Sequence, residues 1–517
     1  MFSWLKNIVS KKNTKSSNLH KLTVNTNDIC ISKSVDKNIN ALKCYMNNSP
    51  DIIDRKIRAF DSKVDAGIVF IQNLVDINMV EEYIIKPLIT NPVRVLSTQN
   101  LTIEAIKNSM LYGSVIEEAN TIFEISLEIL NGKTFLCIEG LDTGLLIDTV
   151  SLPKRNVEEP RTESTVKGPN EGFVENMKDN LGLIRKRFKT PDLCIEFIKT
   201  GKTVHNNVAV LYLKGKVKNQ ILQEVKNRID SVKGYDIVHI EQLANLISDR
   251  VFTIFPLIQW TERPDKAVSF ILEGNVGILY DNSRGMLLAP TTISALMQSP
   301  DDYYEHWLFG TVITFIRYIS LFISTFFPAI YIALTSFHPE MLPTSLLLSI
   351  SGTRIGVSLH PFFEALVMII ILEILQEAGL RLPKVVGQTV AIVGGLVIGQ
   401  AAVQAGIIGP FMVIVTSVTA ISSFSIPSYS LGLVTRILRL IFMLLASALG
   451  AFGISIGIIY LLGYMCSLKS FGVGFMEPFT PYRPKDWKDS IIRAPQIFLK
   501  NRLGYFNTKS SPKKGGS

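Results

Sequence analysis

The sequence predicts a multi-domain membrane protein: an N-terminal α/β soluble region of two small subdomains, then a C-terminal all-α transmembrane bundle of about five helices. Three observations predict it. The chain has 517 residues, too long for one ordinary domain. Its mean hydropathy, +0.28, is high for a soluble protein. That average hides a split: the chain is charged up to about residue 305, and charges almost vanish between Trp307 and Leu468. The net charge of +9 lies largely in the tails and at the ends of the apolar segments. Beside such segments a basic excess marks the lipid-facing cytoplasmic side. No aromatic-plus-basic nucleic-acid motif accompanies it.

Residues 1–40 read as a flexible basic tail, with Met1–Val9 a surface helix or disordered. They lack a signal peptide's apolar core, so the N-terminal region is expected to stay inside. Residues 41–152 form the first α/β subdomain. Ala66–Asp76 is a buried-strand run, Val80–Leu88 is helical, and Gly144–Val150 is another strand. Phe123–Leu130 and the run after it flank Asn131-Gly132, a hairpin signal. Residues 153–172 hold Pro153, Pro160 and Pro169 and almost no apolar residue, which reads as a linker or exposed loop.

Residues 173–300 form the second subdomain. A basic helix runs from Phe173 to Arg187, followed by a hairpin over Leu193–Gly215 and helices at Asn219–Val232 and Ile240–Ser248. Strands are expected at Ala267–Leu272 and Val276–Tyr280. Gly201-Lys202-Thr203 fails as a P-loop: Glu196 stands where glycine is required and a strand follows, so it is a hairpin turn. No catalytic constellation, metal site or cofactor motif stands out, and an enzyme is not expected. The five cysteines form no CxxC pair, and Cys137 and Cys194 read as buried thiols.

Residues 301–468 carry the spans and 469–517 a basic tail. Leu308–Ser336 is interrupted by Arg317 and Pro328, and Phe362–Ala378 carries Glu364, Glu373 and Glu377. Val385–Thr435 has no charge and is long enough for two crossings, broken at Ala405–Pro410. Leu440–Leu468 is the last span. Arg381, Lys384, Arg436 and Arg439 then fall in cytoplasmic loops. The rule fails once, because five crossings leave the basic tail outside. A re-entrant segment, a partly embedded Pro339–Ile350 or an external tail would each account for that.

Charge inside a membrane marks function by default. At 100° per residue Glu373 and Glu377 share a helix face, and Glu364 looks the other way, within snorkelling reach of the interface. Glu377 reads as a helix-end ion pair with Arg381. Gln388 flanks the third span. Gln400 and Gln404, one turn apart, are either interhelical glue or the lining of a hydrated cation path. Arg317 needs a carboxylate or water, with Glu373 or Glu364 as partners. Closely spaced Gly and Ala in the later spans suit either packing within the bundle or a subunit interface or pore lining.

Five segments carry a family resemblance: Val157–Phe173, Thr261–Asp281, Val397–Pro410, Pro427–Arg439 and Ser467–Pro481. Together they resemble the A subunits of the GerA family of spore germinant receptors, over about residues 50–485. The resemblance implies a subunit in the spore inner membrane with a cytoplasmic N-terminal domain. It implies a transporter-like B subunit that holds the nutrient and a lipoprotein C subunit as partners, and a homo-oligomer that conducts monovalent cations. Family members often carry Glu after the arginine matching Arg354 and five residues after Glu364. Here those positions are Ile355 and Ile369, and Arg284 stands where Pro is common. Candidate pore or gating residues are therefore Glu364, Glu373, Gln400, Gln404, Arg317 and Arg354. A non-conducting scaffold that relays the signal is the alternative.

Overall fold

The computed structural model describes residues 29–59, 64–90, 103, 106–107, 115–150, 160, 163, 167–381, 397–483, 487 and 490–493. Contacts divide the chain into two units: Met1–Arg155 with Arg185–Cys194, and Asn156–Ile184 with Ile195–Ser517.

In the first unit, helix α1 (Val35–Tyr45) starts inside the segment whose composition suggested a flexible tail. Strands β1 (Ile52–Ala59), β2 (Val64–Ile71), β3 (Ile116–Ala119), β4 (Lys133–Ile138) and β5 (Gly144–Asp148) make an antiparallel sheet in the order β1-β2-β4-β5-β3. Both faces are covered. Val69, Ile71, Phe135 and Cys137 pack under α1 and under α2 (Ile122–Leu130). Ile68, Phe70, Leu136 and Ile147 pack on the other face with Val80, Ile84 and Leu88. Two-sided burial explains why β2, β4 and β5 read as unbroken apolar runs. Gly67 lets α1 approach, since a Cβ there would lie 2.7 Å from Val35 Cγ1. Burial pushes the Cys137 thiol up to about 12, so it packs and does not react.

The α2 segment corrects an expectation. Phe123–Leu130 is helical, not the first arm of a hairpin. Its buried residues, Ile122, Ile125, Ser126, Ile129 and Leu130, follow the helical period, and the Thr121 hydroxyl accepts from Glu124 N at 3.3 Å. Asn131-Gly132 ends the helix, with Gly132 at φ 95°. The same unit holds a buried ion pair: Arg185 Nε donates to Asp51 Oδ2 at 2.8 Å, and Nη2 reaches Asp51 Oδ1 at 3.1 Å and Ser49 Oγ at 2.9 Å.

The second unit includes α3 (Met177–Arg187) up to Ile184 and a sheet in the order β6-β7-β9-β10-β8, from β6 (Leu193–Thr200), β7 (Asn206–Leu213), β8 (Gln259–Thr261), β9 (Val276–Tyr280) and β10 (Met286–Ala289). Helices α4 (Asn219–Ser231) and α5 (Ile240–Ile247) bury Ile221, Val225, Ile229 and Leu243 against it. Ala267–Leu272 is a second correction. It lies in α6 (Pro264–Glu273), which has Pro at its first turn and Gly274 at φ 114° as its cap. A short apolar run is ambiguous between strand and helix, and here the end signals decide.

The Gly201 turn joins β6 to β7, as its spacing predicts. Lys202 N, Thr203 N and Val204 N donate to Asp236 Oδ1 at 2.8, 2.8 and 3.1 Å. The Thr203 and Val204 amides do most to hold this carboxyl at about 2. Its pKa is depressed, so the turn is stabilised at neutral pH and loses that support as pH falls through about 2. Titration of ¹³C-labelled aspartate carboxyls should find one midpoint near that value, which Asp236→Asn removes. A midpoint near ~4 at Asp236, the ordinary range, would contradict the account.

Five helices build the bundle: α7 (Trp307–Ser336), α8 (Thr344–Arg354), α9 (Pro361–Arg381), α10 (Pro410–Phe424) and α11 (Tyr429–Ser467), with a further helical stretch at 397–404. By length and composition α7 and α11 are apolar enough to cross a membrane. Part of the third expected span, with Gln388 and Lys384, lies outside the described residues. The helix that carries the last expected span, α11, starts at Tyr429 and contains both Arg436 and Arg439, which are therefore helical and not in a loop.

α11 is two helices. Gly450 is non-helical at φ 60°, ψ −140°. Past it the chain folds back: a Cβ at Gly457 would lie 2.6 Å from Phe442 Cε1, and one at Gly453 would clash with the Leu445 carbonyl. The small residues here serve packing within the chain. The returning half ends at the second subdomain. Ser470 Oγ donates to Leu257 O at 2.6 Å, Phe471 N donates to Asp249 Oδ2 at 2.7 Å, and Phe471 and Val473 join the subdomain core. Farther on, Arg493 lies over the Tyr303 ring at 3.3 Å and its amide donates to Thr311 Oγ1 at 3.0 Å, beside the start of α7.

Candidate functional site

Among the described residues, the candidate charges of the bundle take part in three ties. In the first, Arg317 Nη1 meets Asp302 Oδ2 at 2.5 Å and Met297 O at 3.4 Å. The expected partners, Glu364 and Glu373, are not used. Helical side chains lean toward the N-terminus, so Arg317 reaches back to the short turn Asp301–Tyr304 before α7.

The second tie joins two candidates. Arg354 Nη2 donates to Glu364 Oε1 at 3.0 Å, and Gly409 N donates to Glu364 Oε2 at 3.0 Å. Glu364 is 0% exposed, so it does not snorkel to the interface as its position suggested. One carboxylate thus holds the end of α8, the first turn of α9 and the N-terminus of α10, where the helix dipole favours negative charge. A Cβ at residue 409 would sit 3.4 Å from Oε2, so glycine permits the approach.

In the third tie Glu373 meets Arg436 Nη1 at 3.1 Å and Arg439 Nη1 at 3.4 Å. Arg439 is 0% exposed and its Nε donates to Ser324 O at 2.8 Å. Ser324 lies four residues before Pro328, which has no N–H to offer it. The guanidinium therefore satisfies a carbonyl that proline leaves open, as buried backbone in an apolar medium requires. Sequence reasoning put Arg436 and Arg439 in a loop and missed this; the signal was Pro328 in an apolar run. A double-mutant cycle checks it. Restoring the amide with Pro328→Ala should reduce the destabilisation caused by Arg439→Leu, with a coupling of about 1–3 kcal/mol in thermal unfolding of the solubilised chain. Additive effects would contradict the link.

Glu364 and Glu373 are thus both engaged within the chain. Ile369 is buried in the core and Ile355 is exposed. Gln400 and Gln404 differ from Glu364 and Glu373: they are exposed, one turn apart on the 397–404 stretch, with no hydrogen-bond partner among the described residues.

The 153–172 segment is not wholly an exposed linker. Glu163 accepts from the Thr261 hydroxyl at 2.5 Å and pairs with Lys266 at 2.6 Å, while Arg263 Nη1 reaches its carbonyl at 3.1 Å. Asp265 closes the cluster. Burial works to raise its pKa, but Arg263 beside it keeps the carboxyl below its usual range. Two of the five resembling segments therefore meet here.

The family model described as Bacillus/Clostridium GerA spore germination protein matches residues 40–505. The chain belongs to the GerA family. Spore germination protein B1 of Bacillus subtilis (strain 168) is 37% identical over 472 residues, covering 91% of this chain and 97% of that protein. The uncharacterized membrane protein YfkQ of the same organism is 34% identical over 502 residues, covering 97% of each. The crystal structure of the N-terminal domain of the A subunit of the Bacillus megaterium spore germinant receptor GerK3 matches with 25% identity and a TM-score of 0.41, covering 51% of this chain and 97% of that one. The resemblance read from the five segments is borne out. In this GerA chain those segments hold the Glu163 cluster, the Gly409 contact, Arg436 with Arg439, and the returning segment after α11. Arg284 pairs with Glu175 at 2.5 Å.

Proposed function

We propose that this GerA-family chain is the A subunit of a nutrient germinant receptor in the spore inner membrane, and that copies of it assemble a path for monovalent cations. The observation that carries the conducting part is the exposed pair Gln400 and Gln404. Two amides with no partner among the described residues, on an apolar helical stretch, are costly against lipid. They are served by water, or by a second copy. Uncharged amides replace the hydration of a small cation without trapping it.

A transporter-like B subunit supplies the nutrient site and a lipoprotein C subunit completes the receptor in this reading. The soluble units lie in the cytoplasm. The fold-back at Gly450 supports an even number of crossings, with the basic tail inside, and that agrees with the positive-inside rule.

A relay scaffold is the second reading. The internal neutralisation of Glu364 and Glu373 favours it, because these carboxylates are not free to form an acidic ring. Spores separate the two. Deleting the gene should abolish monovalent-cation release to the cognate nutrient. Gln400→Leu with Gln404→Leu should slow release while the chain stays at wild-type abundance. Unchanged release from the double variant favours the scaffold.

A further inference from the structure

The turn between α5 and β8 sends its apolar side chains in opposite directions. Phe255 and Leu257 point inward: Phe255 lies 6.2 Å from the Tyr464 ring and 5.6 Å from the Phe475 ring, within the bundle core. Phe252 is 100% exposed, Val251 71% and Ile254 40%. Leaving three such side chains in water forgoes the burial that drives folding, and a clustered exposed apolar patch marks a contact surface.

The position of this tip selects its partner. The Tyr464 hydroxyl donates to Thr253 Oγ1 at 3.1 Å, and Arg250 Nη1 reaches Ser467 Oγ at 3.5 Å. Tyr464 lies in the last turn of α11, so the tip sits at the level where that apolar helix ends. Leu462, on the same turns of α11, is also exposed, and the apolar surface continues from helix to tip. Charge at the rim is positive. Arg250 and Lys469 are exposed, whereas Asp249 is engaged by Arg228 Nη2 at 2.8 Å and by Phe471 N at 2.7 Å. An apolar tip rimmed by cations, held by a tyrosine at a span end, matches the headgroup region of an anionic leaflet.

We infer that residues 250–254 are a lipid anchor. Val251, Phe252 and Ile254 enter the headgroup–acyl boundary of the leaflet on the side of the second subdomain, and Arg250 and Lys469 face its phosphates. The anchor sets the height of the subdomain over the bilayer independently of the spans.

The test uses the full chain in nanodiscs. Exposed Cys30, Cys44 and Cys466 are replaced by serine, and an environment-sensitive fluorophore is attached at Phe252→Cys. A second chain carries it at Tyr235→Cys, which is exposed on the α4–α5 loop. The label at 252 should be quenched by lipids with a doxyl group near the top of the acyl chain and not by aqueous iodide. The label at 235 should show the reverse. Replacing phosphatidylcholine in part by phosphatidylglycerol should shift the 252 emission further to the blue. Iodide quenching at 252 overturns the anchor. Protection from both quenchers also overturns it, because another protein surface then covers the tip. Emission unaffected by phosphatidylglycerol removes the phosphate contact.

Discussion

Replacing Glu373 by glutamine is expected to destabilise the bundle by about 3 kcal/mol, seen as a lower unfolding midpoint of the detergent-solubilised chain. The substitution leaves Arg436 and the wholly buried Arg439 without a counter-charge. Breaking a buried pair costs more than the pair contributes, since the remaining ion stays desolvated. Glu373 is itself 30% exposed, which places the effect at the lower end of the usual range. Removing Arg436 in the same chain as Arg436→Gln should recover part of the loss. A free carboxylate lining a path behaves differently: its glutamine variant changes ion selectivity and leaves the unfolding midpoint alone. That second result would contradict the tie.

Asp51→Ala is expected to cost the first unit about 3–5 kcal/mol. It strands Arg185, whose side chain is 1% exposed like that of Asp51, and leaves the Ser49 hydroxyl as the remaining partner in this network. Hydrogen exchange of β1–β5 should then lose protection by about 10²–10⁴-fold, since about 1.4 kcal/mol is a factor of ten. Replacing both partners with apolar residues of similar volume should restore most of it. Equal protection in wild type and Asp51→Ala would show that the pair is not needed.

The division into a soluble α/β region and an apolar helical region was legible because it rests on composition alone. So were β2, β5, β7 and β9, whose apolar runs lie between clear turns. Two elements were misread for one reason. Ile122–Leu130 and Pro264–Glu273 are short apolar runs, in which strand and helix periods barely differ. Their caps, Thr121 before one and Pro264 with Gly274 at the ends of the other, held the missing information.

The site was legible residue by residue and not as pairs. Glu364, Glu373, Arg317 and Arg354 stood out because charge in an apolar run is rare. Their partners come from distant segments: Gly409 is 45 residues from Glu364, and Arg439 is 115 from Ser324. Spacing along one helix cannot reveal such contacts. Arg436 and Arg439 were assigned to a loop because the positive-inside rule treats arginine as a topological mark, whereas Arg439 here fills the carbonyl that Pro328 leaves open. The count of five crossings treats Leu440–Leu468 as one uninterrupted helix. Gly450, whose positive φ turns one long apolar run into two helices, gives no sign in such a count.

The most direct measurement is potassium flux from liposomes that contain the purified full chain, alone and with its receptor partners, on addition of nutrient. The proposed function predicts flux from the assembled receptor, reduced when Gln400 and Gln404 are both leucine and retained when the exposed Tyr235 is replaced. Absence of flux under every nutrient and in every folded variant, with the assembled receptor intact, would contradict a conducting subunit.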